Sequence, residues 1–368
     1  MVIILALLIT FKILFIAYPG IVVASARDGL NLWLGTVLPG ILPFMIITNM
    51  LIHLGYTKKL GKLFAPFMKY FFRLPGVGGV AFFVGLTSGY PVGAKTIADL
   101  HSQGEITTKE AQHLLAFCNN AGPLFILGAV GSGMFGSASV GYILWSAHVI
   151  AAVIIGILLA KHYDHNINLF QTSSSVPIMV KSMQNGSDQK NAKQGKQVTR
   201  PVLKLTEAHE NVSASGSIFV RLNRFQDRSI DAYKKSPGKA LGDSVKNAME
   251  AIVIVGGLII FFSAIMAVLR EIIPQDITNN YSVFVSFLAG IIEVTGGTRD
   301  VSALGVSALH LGIAGFLIAF SGLSIHLQTI HFVENTGVSS VRYVACKALH
   351  GIIAAAITII LYRIFMPA

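Results

Sequence analysis

Val84-Gly85-Leu86-Thr87-Ser88-Gly89-Tyr90-Pro91-Val92-Gly93-Ala94-Lys95 and Leu114-Leu115-Ala116-Phe117-Cys118-Asn119-Asn120-Ala121-Gly122-Pro123-Leu124-Phe125 read as membrane helices broken at their middles. Each is apolar on either side of a centre made of glycine, proline and polar side chains. In hydrocarbon every unsatisfied amide or carbonyl costs several kcal/mol, so such breaks survive only where protein or a wet cavity covers them. Interrupted helices are a common way to build a solute site inside a bilayer.

The surrounding sequence supports a membrane setting. The chain has 368 residues, 53% hydrophobic and 12% charged, with mean hydropathy +0.67. Soluble domains carry about 25% charge. Residues 29–57, 74–94, 111–160, 251–269 and 301–333 contain no Asp, Glu, Lys or Arg. The run 111–160 alone exceeds two spans of about 20 residues. The expected fold class is therefore an all-α polytopic membrane protein. Cys118 and Cys346 are too few for a disulfide framework and read as small hydrophobes. Residues 1–35 hold an N-terminal transmembrane helix and a short connection; without a basic leader segment they read as retained rather than cleaved.

Residues 164–243 differ in kind. The part 165–240 holds 12 Lys and Arg against 5 Asp and Glu and is rich in Ser, Asn, Gln and Lys. It reads as a basic, largely disordered cytoplasmic connector, with short amphipathic pieces such as Ile218–Phe225. Its flanks resemble each other. Leu114-Leu115-Ala116-Phe117 recurs as Leu317-Ile318-Ala319-Phe320, Gly85 as Gly290, and Trp145-Ser146-Ala147-His148 as Lys347-Ala348-Leu349-His350. The offsets, 203, 205 and 202, nearly agree. They predict a duplicated unit over 36–163 and 244–368.

The loop 57–73 carries Lys58, Lys59, Lys62, Lys69 and Arg73 with no acid, which places it in the cytoplasm. Its basic and aromatic residues alternate at the spacing of an amphipathic helix on the inner leaflet. With the basic connector also inside, the first repeat crosses an odd number of times. The second must then be inverted.

Pro91 and Pro123 can each restart a helix at mid-membrane, turning its free amides and positive dipole end toward a polar group. Thr107-Thr108-Lys109-Glu110 matches a capping box that starts the helix before Asn119. Carboxamides offer both donors and acceptors and suit an uncharged, hydroxyl- or amide-bearing solute. The candidate substrate-binding residues are Ser88, Gly89, Tyr90, Pro91, Lys95, Asn119, Asn120 and Gly122, completed from the second repeat by Thr295, Ser321, Ser324 and His326. Glu293 and Asp300 are the candidates for holding a coupling Na⁺ or H⁺. Duller readings stand beside these. Lys95 can simply pair with Asp99, Glu293 and Asp300 can sit at the interface near Arg299, the glycines can serve helix packing, and His148, His310 and His350 read as packing residues. No catalytic signature of the metalloprotease, serine-hydrolase or P-loop type is present, and no metal site, cofactor or nucleic-acid partner is expected. The expected partners are a small polar solute and membrane lipid, with room for a homo-oligomer.

Ser88-Gly89-Tyr90-Pro91-Val92-Gly93-Ala94-Lys95, the run Phe117–Ile126 and Leu74-Pro75-Gly76-Val77-Gly78-Gly79 resemble the sporulation integral membrane protein YlbJ family, whose members carry nucleoside-recognition Gate repeats. The resemblance covers 36–163 and, more faintly, 244–368. It implies a multi-pass protein of the mother-cell membrane in a sporulating bacterium, with a part in building the spore cortex. The Gate name implies kinship with concentrative nucleoside carriers and the membrane part of ferrous-iron uptake proteins. Transport of a nucleoside-like or cortex-related solute is the leading expectation. The alternatives are a non-transporting scaffold that uses the connector as its handle and an intramembrane enzyme built on His326 with Glu293 or Glu334.

Overall fold

The computed structural model describes residues 2–162 and 236–366; the connector's calls, Ile218–Phe225 included, lie outside the described residues apart from its last few. Among the described residues every regular element is helical. The segment expected to form one N-terminal transmembrane helix is built of α1, Val2–Ala17, and α2, Pro19–Leu32, which meet at 102°. The break falls at Tyr18, because the residue before a proline is pushed out of helical conformation. The chain continues through a widened turn into α3, Leu38–His53, and then α4, Thr57–Phe67. The unit α4 with its widened last turn lies at 100° to α3. That crosswise arrangement is the one an interfacial helix takes.

Two sets of helices then repeat. The first is α5, Gly78–Ser88; α6, Val92–Ser102; α7, Thr108–Cys118; α8, the π-wound Leu124–Met134; and α9, Ala138–His162. The long α10, Pro237–Ile272, and short α11, Gln275–Asn280, lead into the second set. It comprises α12, Ser282–Ile292; α13, Val294–Ala303; α14, Ala308–Phe320; α15, Gly322–Val333; and α16, Ser340–Phe365. The sets match helix for helix. Because α10 begins at Pro237, the last residues assigned to the connector are helical; proline suits a first helical position.

Both repeats belong to one compact unit, and their contacts come in symmetric pairs. Helix α6 packs on α15 as α13 packs on α8, and α7 packs on α16 as α14 packs on α9. Helices α9 and α16 pack on each other, and their equivalent residues His148 and His350 meet with ring centres 4.8 Å apart. Ile155 near the end of α9 shares a core with Tyr343 near the start of α16. Val140 and Leu144 share another with Tyr362 and Met366. The two helices are therefore antiparallel, and a two-fold axis through their crossing lies perpendicular to them. The repeats are inverted.

Among the described residues, four stretches are long and apolar enough to cross a membrane, or six if each bent pair counts as one crossing. Helices α14 and α15 form one of them, Ala308–Thr336, interrupted at Ser321. Helices α5 and α6 instead fold back on each other, as do α12 and α13. At about 1.5 Å per residue these 10- and 11-residue arms reach half-way through a bilayer, which makes the two pairs re-entrant hairpins.

Candidate functional site

Four breaks in the helices supply the candidate site. Break one, Ser88–Pro91, is the tip of the α5–α6 hairpin. Gly89 there has φ +82°, and a Cβ on it would stand 2.6 Å from the Gly122 amide nitrogen. Break two, Asn119–Pro123, follows α7, whose start carries the expected capping box. The Thr107 amide donates to Glu110 Oε2 at 2.7 Å, and the Glu110 amide donates to Thr107 Oγ1 at 3.3 Å. Breaks one and two touch because Gly85 and Gly93 have no side chain; a Cβ on either would run into the Cys118 carbonyl. Break three is Glu293, extended between α12 and α13. Break four is Ser321, held at φ +82°, a region few residues other than glycine adopt. Gly322 beside it lies against the Gly290 carbonyl and the Val294 amide, so breaks three and four also touch.

The two pairs meet each other. Ala121, Val294 and Ile325 share one core, with Tyr90 and Phe125 packed against it. Asn119 Nδ2 donates to Thr329 Oγ1 and to Tyr343 Oη, both at 2.8 Å. Lys347 Nζ donates to the Asn119 carbonyl at 3.0 Å, and the Ala121 amide donates to His148 Nε2 at 3.2 Å. Because His148 lies near the middle of α9 and Ser321 near the middle of the α14–α15 span, the breaks sit at mid-depth.

Many polar atoms here are buried without a partner. They include Tyr90 Oη, Asn119 Oδ1, Asn120 Oδ1, both ring nitrogens of His326 and both amide atoms of Gln328. His326 stands edge-on to Phe320 and Tyr343, at 4.7 and 5.3 Å between ring centres. Buried polar groups are normally paired, so each exception asks for an explanation. Tyr90, Asn119 and Asn120 lie on the breaks themselves, His326 lies a turn after Ser321 on α15, and Gln328 precedes Thr329, which Asn119 reaches.

The structure does not bring every sequence candidate together. Tyr90, Asn119, Asn120, Gly122, Ser321, Ser324 and His326 lie on the converging breaks or in the turns after them, with Ser88, Gly89 and Pro91 forming the hairpin tip. Lys95 stands a turn away, paired with Asp99 at 2.7 Å and approaching Asn49 Oδ1 at 3.5 Å. Glu293 caps α13: Oε1 accepts from the Thr295 amide at 2.8 Å and Oε2 from the Gly296 amide at 2.6 Å. Asp300 faces Arg270, at 2.7 Å, and both are partly exposed. The two carboxylates thus have structural partners already. Thr329, Tyr343 and Lys347, which the sequence reading did not single out as candidates, all reach Asn119. Lys347 had a signal, as the one charged residue between 343 and 362 in a spanning helix.

Residues 34–138 match the family model described as Gate, nucleoside recognition. The chain is 29% identical over 361 residues to the sporulation integral membrane protein YlbJ of Bacillus subtilis (strain 168), covering 95% of this chain and 79% of that protein. No solved structure matches. The chain is a multi-pass membrane protein with a Gate region in its first repeat, similar along nearly its whole length to YlbJ, as its motifs implied.

Proposed function

We propose that the protein is a secondary transporter of a small, uncharged polar solute, serving a sporulating cell from its membrane. The observation that carries the proposal is the set of buried, unpartnered donors and acceptors on the breaks and on the helix that follows break four. Leaving such groups unpaired costs about 1–3 kcal/mol each, a cost a bound solute would remove. Gln328 and His326 can each donate and accept, Tyr90 Oη can do either, and the two asparagine oxygens accept. The mixture matches a ligand with both amide-like and hydroxyl groups, and nucleosides have both. The likeness to YlbJ and the Gate region support the sporulation setting and this class of cargo. A cortex-related metabolite of the same chemistry fits as well.

Inverted repeats supply the motion. Two frames packed about one axis can exchange roles, opening the central site to one side and then the other. The breaks are packed together, with Asn119, Asn120, Ser321 and His326 all buried, which is what this reading expects of an occluded form. Glu293 and Asp300 stay in the proposal as secondary candidates for a coupling ion, though each must first leave its present partner. No catalytic role is assigned to any residue.

The test is uptake of radiolabelled uridine, then of other uncharged cell-wall precursors, by proteoliposomes. The reading expects saturable uptake that falls in Asn120→Ala and in the Asn119→Ala, Asn120→Ala double variant. Unchanged uptake in the double variant rejects the assigned roles.

A further inference from the structure

Resting on the transport reading, we propose that Lys347 and His350 together bind and release the coupling proton, so that the driving ion is H⁺. Both side chains are fully buried on α16, at the crossing of the two repeats. Lys347 Nζ stands 3.0 Å from His350 Nδ1 and 3.0 Å from the Asn119 carbonyl. His350 Nε2 lies 3.2 Å from the His148 carbonyl, an acceptor, so Nε2 carries the hydrogen and Nδ1 accepts from Lys347. No ion pair among the described residues includes Lys347.

Two acceptors satisfy two N–H bonds, which is the full complement of an amine. An ammonium carries a third N–H, and a buried donor without a partner is costly. Gaining a proton therefore sets a demand on the surrounding backbone. Asn119 has an unpartnered acceptor of its own, Oδ1. Turning it toward Lys347 would loosen the Nδ2 bonds that tie break two to Thr329 and Tyr343. Proton binding and the grip of α15 and α16 on the break are thus in competition. Within the pair, the proton passes from Lys347 Nζ to His350 Nδ1; one N–H bond breaks, the other forms, and the charge moves from ammonium to imidazolium. Water on whichever side is open supplies and removes it.

Other titratable groups on the elements around the pair include His148 on α9, His113 and Cys118 on α7, His326 on α15, and Tyr343 and Cys346 on α16, with Tyr142 and Lys161 toward the ends of α9, His331 in the last turn of α15, and Arg342, Tyr362 and Arg363 toward the ends of α16. Lys109, Glu110 and His310 sit at the capped ends of α7 and α14, away from the pair. The duplication also points to Lys347. The equivalent place in the first repeat is Trp145, so the near-symmetric frame carries a single amine at its axis.

The test labels the full-length protein in proteoliposomes with isotope-labelled cyanate, which carbamylates uncharged amines, and maps the product by mass spectrometry across pH. The expected result is a one-proton titration curve at Lys347 whose midpoint moves in His350→Gln. No labelling of Lys347 at any pH, or a midpoint unmoved by His350→Gln, overturns the proposal. In parallel, an imposed pH gradient is expected to accelerate uridine uptake in the parent protein and to lose that effect in Lys347→Met, whose folding is checked by thermal midpoint. Uridine exchange that ignores the gradient in the parent protein also overturns the proposal and leaves the transport reading intact. Absence of any exchange sinks the transport reading instead, and the labelling curve still decides whether the proton site exists.

Discussion

Replacing Gln328 with leucine separates a ligand-binding role from a structural one. The side chain is 1% exposed, and neither amide atom has a hydrogen-bond partner. A polar residue that holds the fold loses hydrogen bonds within the protein on substitution, whereas neither Gln328 amide atom has a protein partner to lose. Leucine fills a similar volume and removes two unpaired polar groups, each worth about 1–3 kcal/mol in a buried site. Polar terms inside membranes run smaller, because the unfolded reference also finds partners, so about 1–2 kcal/mol of stabilisation is expected. For a chain of 368 residues that raises the thermal midpoint by about 1–2 °C per kcal/mol. Uridine uptake is expected to collapse in the same variant. Intrinsic fluorescence on heating and vesicle uptake together make the assay. A lower midpoint, or full uptake at a raised midpoint, would refute the reasoning.

Other substitutions test the frame. Gly93→Ala or Gly85→Ala drives a methyl into the Cys118 carbonyl, a backbone atom with little room to move, and is expected to cost at least about 1–3 kcal/mol, read as a lowered midpoint or lost expression. Glu293→Ala removes the acceptor for two amides at the start of α13 and is expected to cost about 1–2 kcal/mol, with Glu293→Gln recovering part of it. Asp300→Asn is expected to lower stability by at most about 1 kcal/mol, since its pairing with Arg270 is partly exposed; a double-mutant cycle with Arg270→Gln measures the term. Asn119→Ala strips the bridge to Thr329 and Tyr343 and is expected to destabilise by about 1–3 kcal/mol, unlike Gln328→Leu.

The repeat and its breaks were legible because proline, glycine and carboxamides are conspicuous in apolar surroundings. Ser88-Gly89-Tyr90-Pro91 and Asn119-Asn120-Ala121-Gly122-Pro123 stop helices for local reasons, and local reasons survive folding. Break four was harder to read. Ser321 ends a helix through a left-handed backbone that serine rarely adopts, which only tertiary packing enforces. The partners of the ionisable groups were equally hidden. Glu293 lies two and three residues from the amides it caps, yet the sequence reading offered it only as a coupling-ion ligand or an interfacial neighbour of Arg299. Arg270 reaches Asp300 from a different helix. Lys347 meets Asn119 across the repeat boundary, and no periodicity within one segment could join them.

The central claim is that unwound, polar backbone from both repeats lines one mid-membrane site that opens alternately to each side. Its most direct test is thiol labelling of Asn120→Cys in a background of Cys118→Ala and Cys346→Ala, with a membrane-impermeant reagent applied from one side or the other. The account expects slow labelling from both sides, with uridine protecting the thiol. Labelling from one side alone, or as fast as at the exposed Lys246→Cys, would contradict it.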